Sequence, residues 1–188
     1  MAWEILESNL PRYDFVERHQ RLIPAPAADV WHAVQTARVY GSALTKGAVA
    51  LRMLPARLSG RVVSEPAPLY DLSGMKSFLR LGERIEQELV LGMVGQFWRP
   101  RGSLHVIAPD AFAAFSDPDY AKLAWGFTLE PCGGATLLRT ETRVQCLSAE
   151  GKRRFRPYWI IIRPISGLIR RQILDGIGNA ATTTQETR

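Results

Sequence analysis

The 188-residue chain is poor in the residues that build metal and triad-type sites, with only two cysteines and three histidines. Cys132 and Cys146 lie neither in a CxxC pair nor near a histidine at zinc-site spacing, which excludes a structural zinc site. His19, His32 and His105 are scattered and form no readable Ser-His-Asp spacing. The sequence therefore indicates no metal site, and a structural role is the simpler interpretation of each histidine.

The chain also lacks a secretory signal and a long apolar run. Residues 1–7 carry acidic side chains where a signal peptide has a basic start and an apolar core. The apolar stretch over residues 158–162 ends at Arg163 and Pro164, far short of the ~20 residues that span a bilayer. We therefore expect a cytoplasmic protein with reduced thiols that does not cross a membrane.

The overall composition is that of a folded soluble domain. Hydrophobic residues make up 46% and charged residues 22% of the chain, which argues against disorder. A chain of this length is expected to bury roughly 70% of its unfolded surface in one domain. We predict a single domain over 1–188, with a core over about 12–178 and a polar tail over 179–188.

Positive charge is in modest excess and is concentrated in one region. Lys and Arg number 24 against 18 Asp and Glu, giving a formal charge of +6 and a pI near 9.7. Seven basic residues lie close to the C-terminus: Lys152, Arg153, Arg154, Arg156, Arg163, Arg170 and Arg171. Anionic lipid and a plain solvated helix face are both compatible with this pattern, but nucleic acid is not expected because no exposed aromatics are interleaved with these residues.

The first part of the chain predicts a strand followed by two short helices. Residues 13–23 alternate and end at two prolines, which favours a strand, and helical spacing begins at Ala27. A second helix is predicted over residues 42–54. Residues 83–91 alternate cleanly and are predicted to form one half-buried strand.

The middle of the chain predicts a curved sheet. Gly92 and Gly95 indicate a bend, residues 111–115 a short strand, and residues 117–119 a turn. Strands over 120–129 and 135–147 flank the tight connection at 131–134, which makes this the clearest hairpin in the sequence.

A long amphipathic helix is predicted from Ser148 onward. Its apolar stripe is formed by Phe155, Trp159, Ile162, Ile165, Ile169, Ile173 and Ile177. Pro157 and Pro164 each predict a break or kink. Residues 176–181 match a GxGxxA dinucleotide fingerprint but follow a helix instead of a strand, so we interpret them as the helix C-terminus and expect no cofactor.

The opening strand runs into Ile23-Pro24-Ala25-Pro26 and then into Ala27-Ala28-Asp29-Val30-Trp31. This segment, with the late hairpin and the long last helix, resembles the START-like or SRPBCC superfamily, which includes polyketide cyclases and Bet v 1-type proteins. The resemblance implies an α+β helix-grip fold, in which a curved antiparallel sheet wraps around the C-terminal helix and encloses an apolar cavity. It supplies no catalytic motif that could be carried over.

The function implied by this resemblance is binding of a hydrophobic small molecule, such as a lipid, polyketide or aromatic compound. Two alternatives stay open. One is an enzyme similar to polyketide cyclases and aromatases, in which a histidine or carboxylate moves protons. The other is a lipid carrier that docks on anionic membranes through Arg170 and Arg171 of the basic helix.

Candidate cavity-lining residues come from the strand and helix faces that would meet inside the grip. They are Trp98, Leu123, Trp125, Phe127, Trp159, Ile162 and Ile165. The alternative for each is plain core packing.

Three polar residues are candidates for the same pocket. Arg99 follows two aromatics and suits an acid group on a ligand, although an edge strand would show it to solvent. His105 lies on a predicted strand, and histidine is a residue type that often transfers protons. Glu141 alternates with Arg139 and Arg143, a pattern that also fits surface ion pairs.

Overall fold

A computed structural model describes residues 3–40, 42, 78–99 and 104–186. Its elements in chain order are α1 (Ile5–Asn9), β1 (Phe15–Ile23), α2 (Ala27–Thr36), β2 (Leu79–Arg84), β3 (Glu88–Gly95), β4 (Leu104–His105), a 3₁₀ helix (Pro109–Ala111), β5 (Ala121–Cys132), β6 (Ala135–Cys146) and α3 (Ala149–Glu186). The predicted helix over 42–54 falls outside the described residues, apart from Ser42.

The six described strands form one antiparallel sheet in the order β1-β6-β5-β3-β2, with β4 paired to the end of β3. The first strand therefore pairs with the last, and α3 packs on β1, β6 and α2. A sheet curved around a long C-terminal helix is the helix-grip architecture, so the predicted fold class is confirmed. Within the described residues, one short helix precedes β1 and one follows it.

The concave face of the sheet, which faces α2 and α3, carries the main core. Trp125, Phe127 and Leu129 of β5 are fully buried against Ile173 and Ile177 of α3. The predicted hairpin is confirmed: β5 and β6 are joined by Gly133 and Gly134, whose positive φ values of 56° and 88° suit a tight turn between twisted strands.

The opposite, outer face of the sheet is also covered. Leu6 and Leu10, on and just after α1, pack there with Val90, Ala124 and Phe112. This segment lies before the predicted core boundary at residue 12, so the packed core begins earlier than expected. Burial on both faces explains why β3 reads as an almost unbroken apolar run.

Buried charges of the sheet hold both ends of α1. The Glu88 carboxylate, 2% exposed, accepts hydrogen bonds from the backbone N–H groups of Glu4, Ile5 and Leu6 at 2.9–3.0 Å. At the other end, Arg143 Nη1 donates to the Leu10 carbonyl at 3.0 Å. A carboxylate at a helix N-terminus and a guanidinium near its C-terminus both complement the helix dipole.

The predicted single strand over 83–91 is wrong. β2 ends at Arg84, the chain turns through Ile85–Gln87, and β3 begins at Glu88. Glu86 has φ 58°, a left-handed turn conformation, and Ile85 is 71% exposed. The alternation of residue types runs through the loop, so it imitates a continuous strand.

The predicted strand over 111–115 is also wrong. This segment is the end of the 3₁₀ helix and the turns after it, and its inward anchor is the fully buried Phe112. Pro109 at the start of the helix explains the difference, because its fixed φ favours a helical first turn.

α3 is continuous through both internal prolines, so a break does not occur at either one, and a kink stays a prediction. Pro157 and Pro164 have no N–H group, so the carbonyls of Arg153 and Ile160, four residues earlier, lose their helical hydrogen-bond donor. All four residues are exposed. Water can hydrogen-bond to such solvent-facing carbonyls. No described helix contains a stretch long and apolar enough to cross a membrane.

The predicted polar tail over 179–188 is wrong up to Glu186, where α3 ends. Ala181 is fully buried in the main core, and Gly176 lies inside the helix. A Cβ at Gly176 would lie 2.5 Å from Val39 Cγ2. This glycine therefore permits close packing of α3 and does not mark the end of the helix.

Candidate functional site

Polar side chains form a contiguous row on the concave face, opposite α3. We call Glu17, His19, Thr140, Trp125 and Arg170 the inner polar cluster. His19 of β1 lies directly across from Thr140 of β6, and Thr140 Oγ1 accepts a 2.7 Å hydrogen bond from Trp125 Nε1. Arg170 of α3 covers this row from above, with Cζ 3.5 Å from the centre of the Trp125 ring. The interior of the grip is thus polar along one line.

Glu17 and His19 form a hydrogen-bonded pair within this cluster. Glu17 Oε1 lies 3.0 Å from His19 Nε2. Glu17 is 7% exposed, and its second oxygen, Oε2, is buried without a hydrogen-bond partner among the described residues. His19 is 16% exposed at its side chain, so the pair connects a buried carboxyl group to an imidazole that is partly exposed.

Gly167 of α3 makes room for this pair. A Cβ at this position would lie 2.9 Å from Glu17 Oε1 and 3.6 Å from His19 Cε1. The glycine therefore lets the helix backbone approach β1 while leaving the carboxyl group and the imidazole in place. It lies one turn from both Arg163 and Arg171 along α3.

A cleft of about 810 Å³ opens between the edge strand β1 and α3. Its apolar lining is Val16, Pro164 and Leu168, and its polar lining is Glu17, Arg18, His19, Arg163 and Arg171, with Gly167 between. Arg18 already pairs with Glu141 at 2.8 Å, whereas Arg163 and Arg171 are exposed and form no ion pair with a described residue. We call this opening the β1–α3 cleft.

Arg170 does not lie where the membrane hypothesis requires it. The sequence predicts this residue on the outer surface of the basic helix, but its guanidinium lies over Trp125 inside the grip. Arg171 is exposed as expected. The reason is that α3 is bordered by packed elements on more than one side, so a position next to the apolar stripe still points inward. Contact of Arg171 with anionic membranes stays a prediction.

The sheet residues predicted to line the cavity lie on the concave face, where Trp125 and Phe127 are fully packed in the main core and Leu123 is partly buried. The three helix residues lie toward the first half of α3: Trp159 stacks near Phe15 and Phe155, Ile162 is buried and Ile165 is half-buried. Contact of these residues with a ligand stays a prediction.

Trp98 and Arg99 lie away from the inner polar cluster. Both are in the turn after β3, where Arg99 is exposed and Trp98 packs edge-on against Phe155. They line a separate groove of about 270 Å³ beside Ser148 at the start of α3. The prediction that Arg99 binds an acid group inside the pocket is therefore wrong, because β3 ends at Gly95 and Arg99 lies in the exposed turn that follows.

His105 and Glu141 are on the outer face, so neither lies on the concave face where the sequence predicted the pocket. Glu141 lines a separate groove of about 650 Å³ together with Trp3, Glu7 and Arg143, and its contact with a ligand stays a prediction. His105 is exposed and packs against Phe115 and Tyr120. Glu141 pairs in register with Gly126, whose missing Cβ would touch Trp3 of the N-terminal segment. The pairing register of β6 places this residue opposite to the concave face.

The expected surface ion pairs of β6 are instead a buried network. Glu141 and Arg143 are 3–4% exposed at their side chains, and Arg143 Nε donates to Glu141 at 2.7 Å. Arg143 Nη2 donates to Glu7 at 2.6 Å, and this hydrogen bond lowers the pKa of Glu7. Burial acts to lower the pKa of Arg143, but its hydrogen bonds to Glu7 and Glu141 raise it overall. The N-terminal segment, which includes Trp3, Glu7 and Leu10, covers this face of β6 and so buries Glu141 and Arg143.

The inner polar cluster was missed in the sequence, although β1 carries a signal for it. The inward face of β1 is apolar at both ends and polar in the middle. Its residues in order are Phe15, Glu17, His19, Arg21 and Ile23. That pattern alone equally fits a solvent-facing strand. Among the described residues, no three His, Cys, Asp or Glu side chains are grouped so that they could hold a metal ion.

No protein-family model matches the sequence, and no curated protein is detectably similar to it. Several solved structures align with most of this chain in a comparison of structures. Protein CV1439 from Chromobacterium violaceum is 11% identical, with 88% of this chain and 96% of that chain covered and a TM-score of 0.40. TTHA0849 from Thermus thermophilus is 11% identical, covering 90% and 99%, with a TM-score of 0.35. CalU16 from Micromonospora echinospora is 13% identical, covering 90% and 98%, with a TM-score of 0.31. The helix-grip assignment rests on the strand order and the C-terminal helix of the chain itself.

Proposed function

We propose that the protein binds a hydrophobic small molecule in the β1–α3 cleft, beside the concave face of the sheet. The observation that carries the proposal is the make-up of this cleft: about 810 Å³, with Val16, Pro164 and Leu168 beside a few polar groups. Small-molecule sites have this size and combine apolar walls with a small number of placed polar atoms.

The buried oxygen of Glu17 adds support. Almost all buried polar atoms in proteins have a hydrogen-bond partner, whereas Glu17 Oε2 has none among the described residues. Glu17 lines the cleft, so a hydroxyl or amine of a bound molecule could donate to it. The apolar part of the same molecule would contribute affinity at roughly 25 cal/mol per Å² buried.

The test uses N-phenyl-1-naphthylamine, a neutral fluorescent probe. Leu168 lies in the cleft, so Leu168→Trp adds bulk there and should weaken probe binding by about fivefold or more, since overpacking typically costs about 1–3 kcal/mol. The matched control is Ile161→Trp, because Ile161 is on the same helix, 71% exposed and outside the cleft. Equal affinities for both variants and the parent protein would refute the β1–α3 cleft as the binding site.

A second candidate, an enzyme that moves protons on the bound molecule as in the polyketide cyclase alternative, is favoured by the Glu17–His19 pair. A carboxylate that orients an imidazole at 3.0 Å is a common general-base arrangement. Any compound released from the purified protein should be returned to it in D₂O. Deuterium appearing on a carbon atom, and lost in His19→Asn, would support catalysis; a compound recovered without deuterium would support binding alone.

A further inference from the structure

We infer that the β1–α3 cleft selects apolar molecules that carry a carboxylate, and that the carboxylate binds between Arg163 and Arg171 at the cleft mouth. This inference rests on the proposed binding function and adds the chemical class of the ligand. It is based on three features of the cleft: the guanidinium groups of Arg163 and Arg171, the position of Gly167 between them, and the neighbouring apolar lining.

The helix geometry places the two arginines around one point. Residues 163, 167 and 171 follow one another at intervals of four, so they lie on the same helical face. With a rise of 1.5 Å per residue, the Cα atoms of Arg163 and Arg171 are about 12 Å apart along α3. Gly167 lies midway and has no side chain, so the space between the two long side chains stays open.

The two arginines at the cleft mouth form no ion pair with a described residue, unlike others on α3. Arg153 and Arg154, earlier on α3, both pair with Glu150 at 2.7 Å. Arg163 and Arg171 are exposed and form no such pair with any described residue. Guanidinium groups match carboxylates in geometry and are less strongly hydrated than ammonium groups, so they suit an anion at a partly apolar site.

The lining of the cleft fixes the orientation of the ligand. Val16, Pro164 and Leu168 provide an apolar surface for a hydrocarbon tail, and Glu17 lies at the inner wall. A carboxylate placed next to Glu17 would be repelled by a like charge, whereas one at the mouth meets two cations. The acid group therefore stays between the arginines and the tail lies along the apolar wall.

The experiment compares two ligands that differ only in their head group. Dodecanoate and dodecan-1-ol displace N-phenyl-1-naphthylamine from the parent protein and from the double variant Arg163→Gln/Arg171→Gln. We expect about tenfold weaker binding of dodecanoate to the double variant and less than about twofold change for dodecan-1-ol, from about threefold per partly exposed ion pair. The control is Arg156→Gln, which removes an exposed arginine of the same helix outside the cleft.

The outcomes separate this inference from the proposed function. If both ligands bind the parent protein and the double variant equally, the acid selectivity is overturned while apolar binding stands. If neither ligand nor the probe binds the parent protein, both fail. If the double variant loses binding only to phosphatidylglycerol vesicles and keeps dodecanoate, the arginines serve a lipid surface and the inference is overturned.

Discussion

Replacing Glu88 by glutamine should strongly destabilise the protein, because this side chain holds the start of α1 on the outer face. One carboxylate oxygen, Oε2, accepts from the N–H groups of Glu4 and Ile5, and the other, Oε1, accepts from Leu6. Glu88 is 2% exposed, so water cannot readily replace these contacts. A glutamine has nearly the same shape but only one acceptor oxygen.

The magnitude follows from the three contacts. A glutamine oriented to keep the hydrogen bonds to Glu4 and Ile5 would point its NH₂ group at the Leu6 N–H, donor against donor. Losing one hydrogen bond to a charged group costs about 1.5–3 kcal/mol, and losing the charge at the helix N-terminus costs about 0.3–1 kcal/mol more. We therefore expect a loss of about 2–4 kcal/mol out of a total stability of roughly 5–15 kcal/mol.

Urea unfolding at pH 7, followed by tryptophan fluorescence and far-UV circular dichroism, measures this loss. The midpoint should fall by roughly 1–2 M at an unchanged slope, given slopes of roughly 1–3 kcal/mol per M. Glu83→Gln is the matched control, since Glu83 forms a half-exposed pair with Arg80 at 3.3 Å and should change stability by less than about 0.5 kcal/mol. If Glu88→Gln changed the midpoint no more than Glu83→Gln, α1 would not depend on the buried carboxylate.

Two further predictions concern titrating groups. Burial raises the pKa of the Cys146 thiol to about 12, so this thiol should react slowly in the native protein. A disulfide-forming reagent should therefore titrate one thiol in the native protein, that of the exposed Cys132, and two thiols after unfolding. Two rapidly reacting thiols in the native protein would contradict the burial of Cys146. The hydrogen bond from Arg143 lowers the pKa of Glu7, so this pair contributes stability above the unfolded-state pKa, near 4.5, and loses it as the pH falls through the lower folded-state pKa. The destabilisation caused by Glu7→Gln should therefore be larger at pH 6 than at pH 3, and a difference independent of pH would refute the role of the pair.

The sequence was a good guide where an apolar face or a turn signal marks an element locally. The β5–β6 hairpin and the stripe of α3 have an apolar face, and residues 13–23 are followed by prolines that end the strand; together these elements determine the helix-grip architecture. The hairpin was the clearest case because Gly133 and Gly134 mark a turn that needs positive φ. These signals are local, so one sequence suffices to read them.

Prediction failed where contacts distant in sequence decide. Glu141 alternates like a surface residue, yet the N-terminal segment, more than a hundred residues earlier, covers its face of the sheet. Arg170 reads as part of a basic surface, but the close approach of α3 to the sheet directs it over Trp125. In the sequence Gly176 indicates the end of a helix. In the structure it lies within α3, where the close contact with Val39 leaves no room for a Cβ.

The inner polar cluster illustrates the same limit at the candidate site. Glu17 and His19 are two residues apart on β1, a spacing that fits any strand, and their significance comes from the glycine of α3 that lies over them. The sequence of β1 alone is compatible with packing against several other elements. Only the packing of α3 on β1 places Gly167 over Glu17 and His19. A site assembled from a strand near the start and a helix at the end is therefore found in the fold and not in a motif.

The central claim, that a small molecule binds between β1 and α3, is tested most directly by nuclear Overhauser contacts between bound N-phenyl-1-naphthylamine and methyl-labelled protein. The β1–α3 cleft predicts contacts to the methyl groups of Val16 and Leu168, which line it. Contacts confined to Leu6 and Leu10, which pack on the outer face of the sheet, would contradict the account.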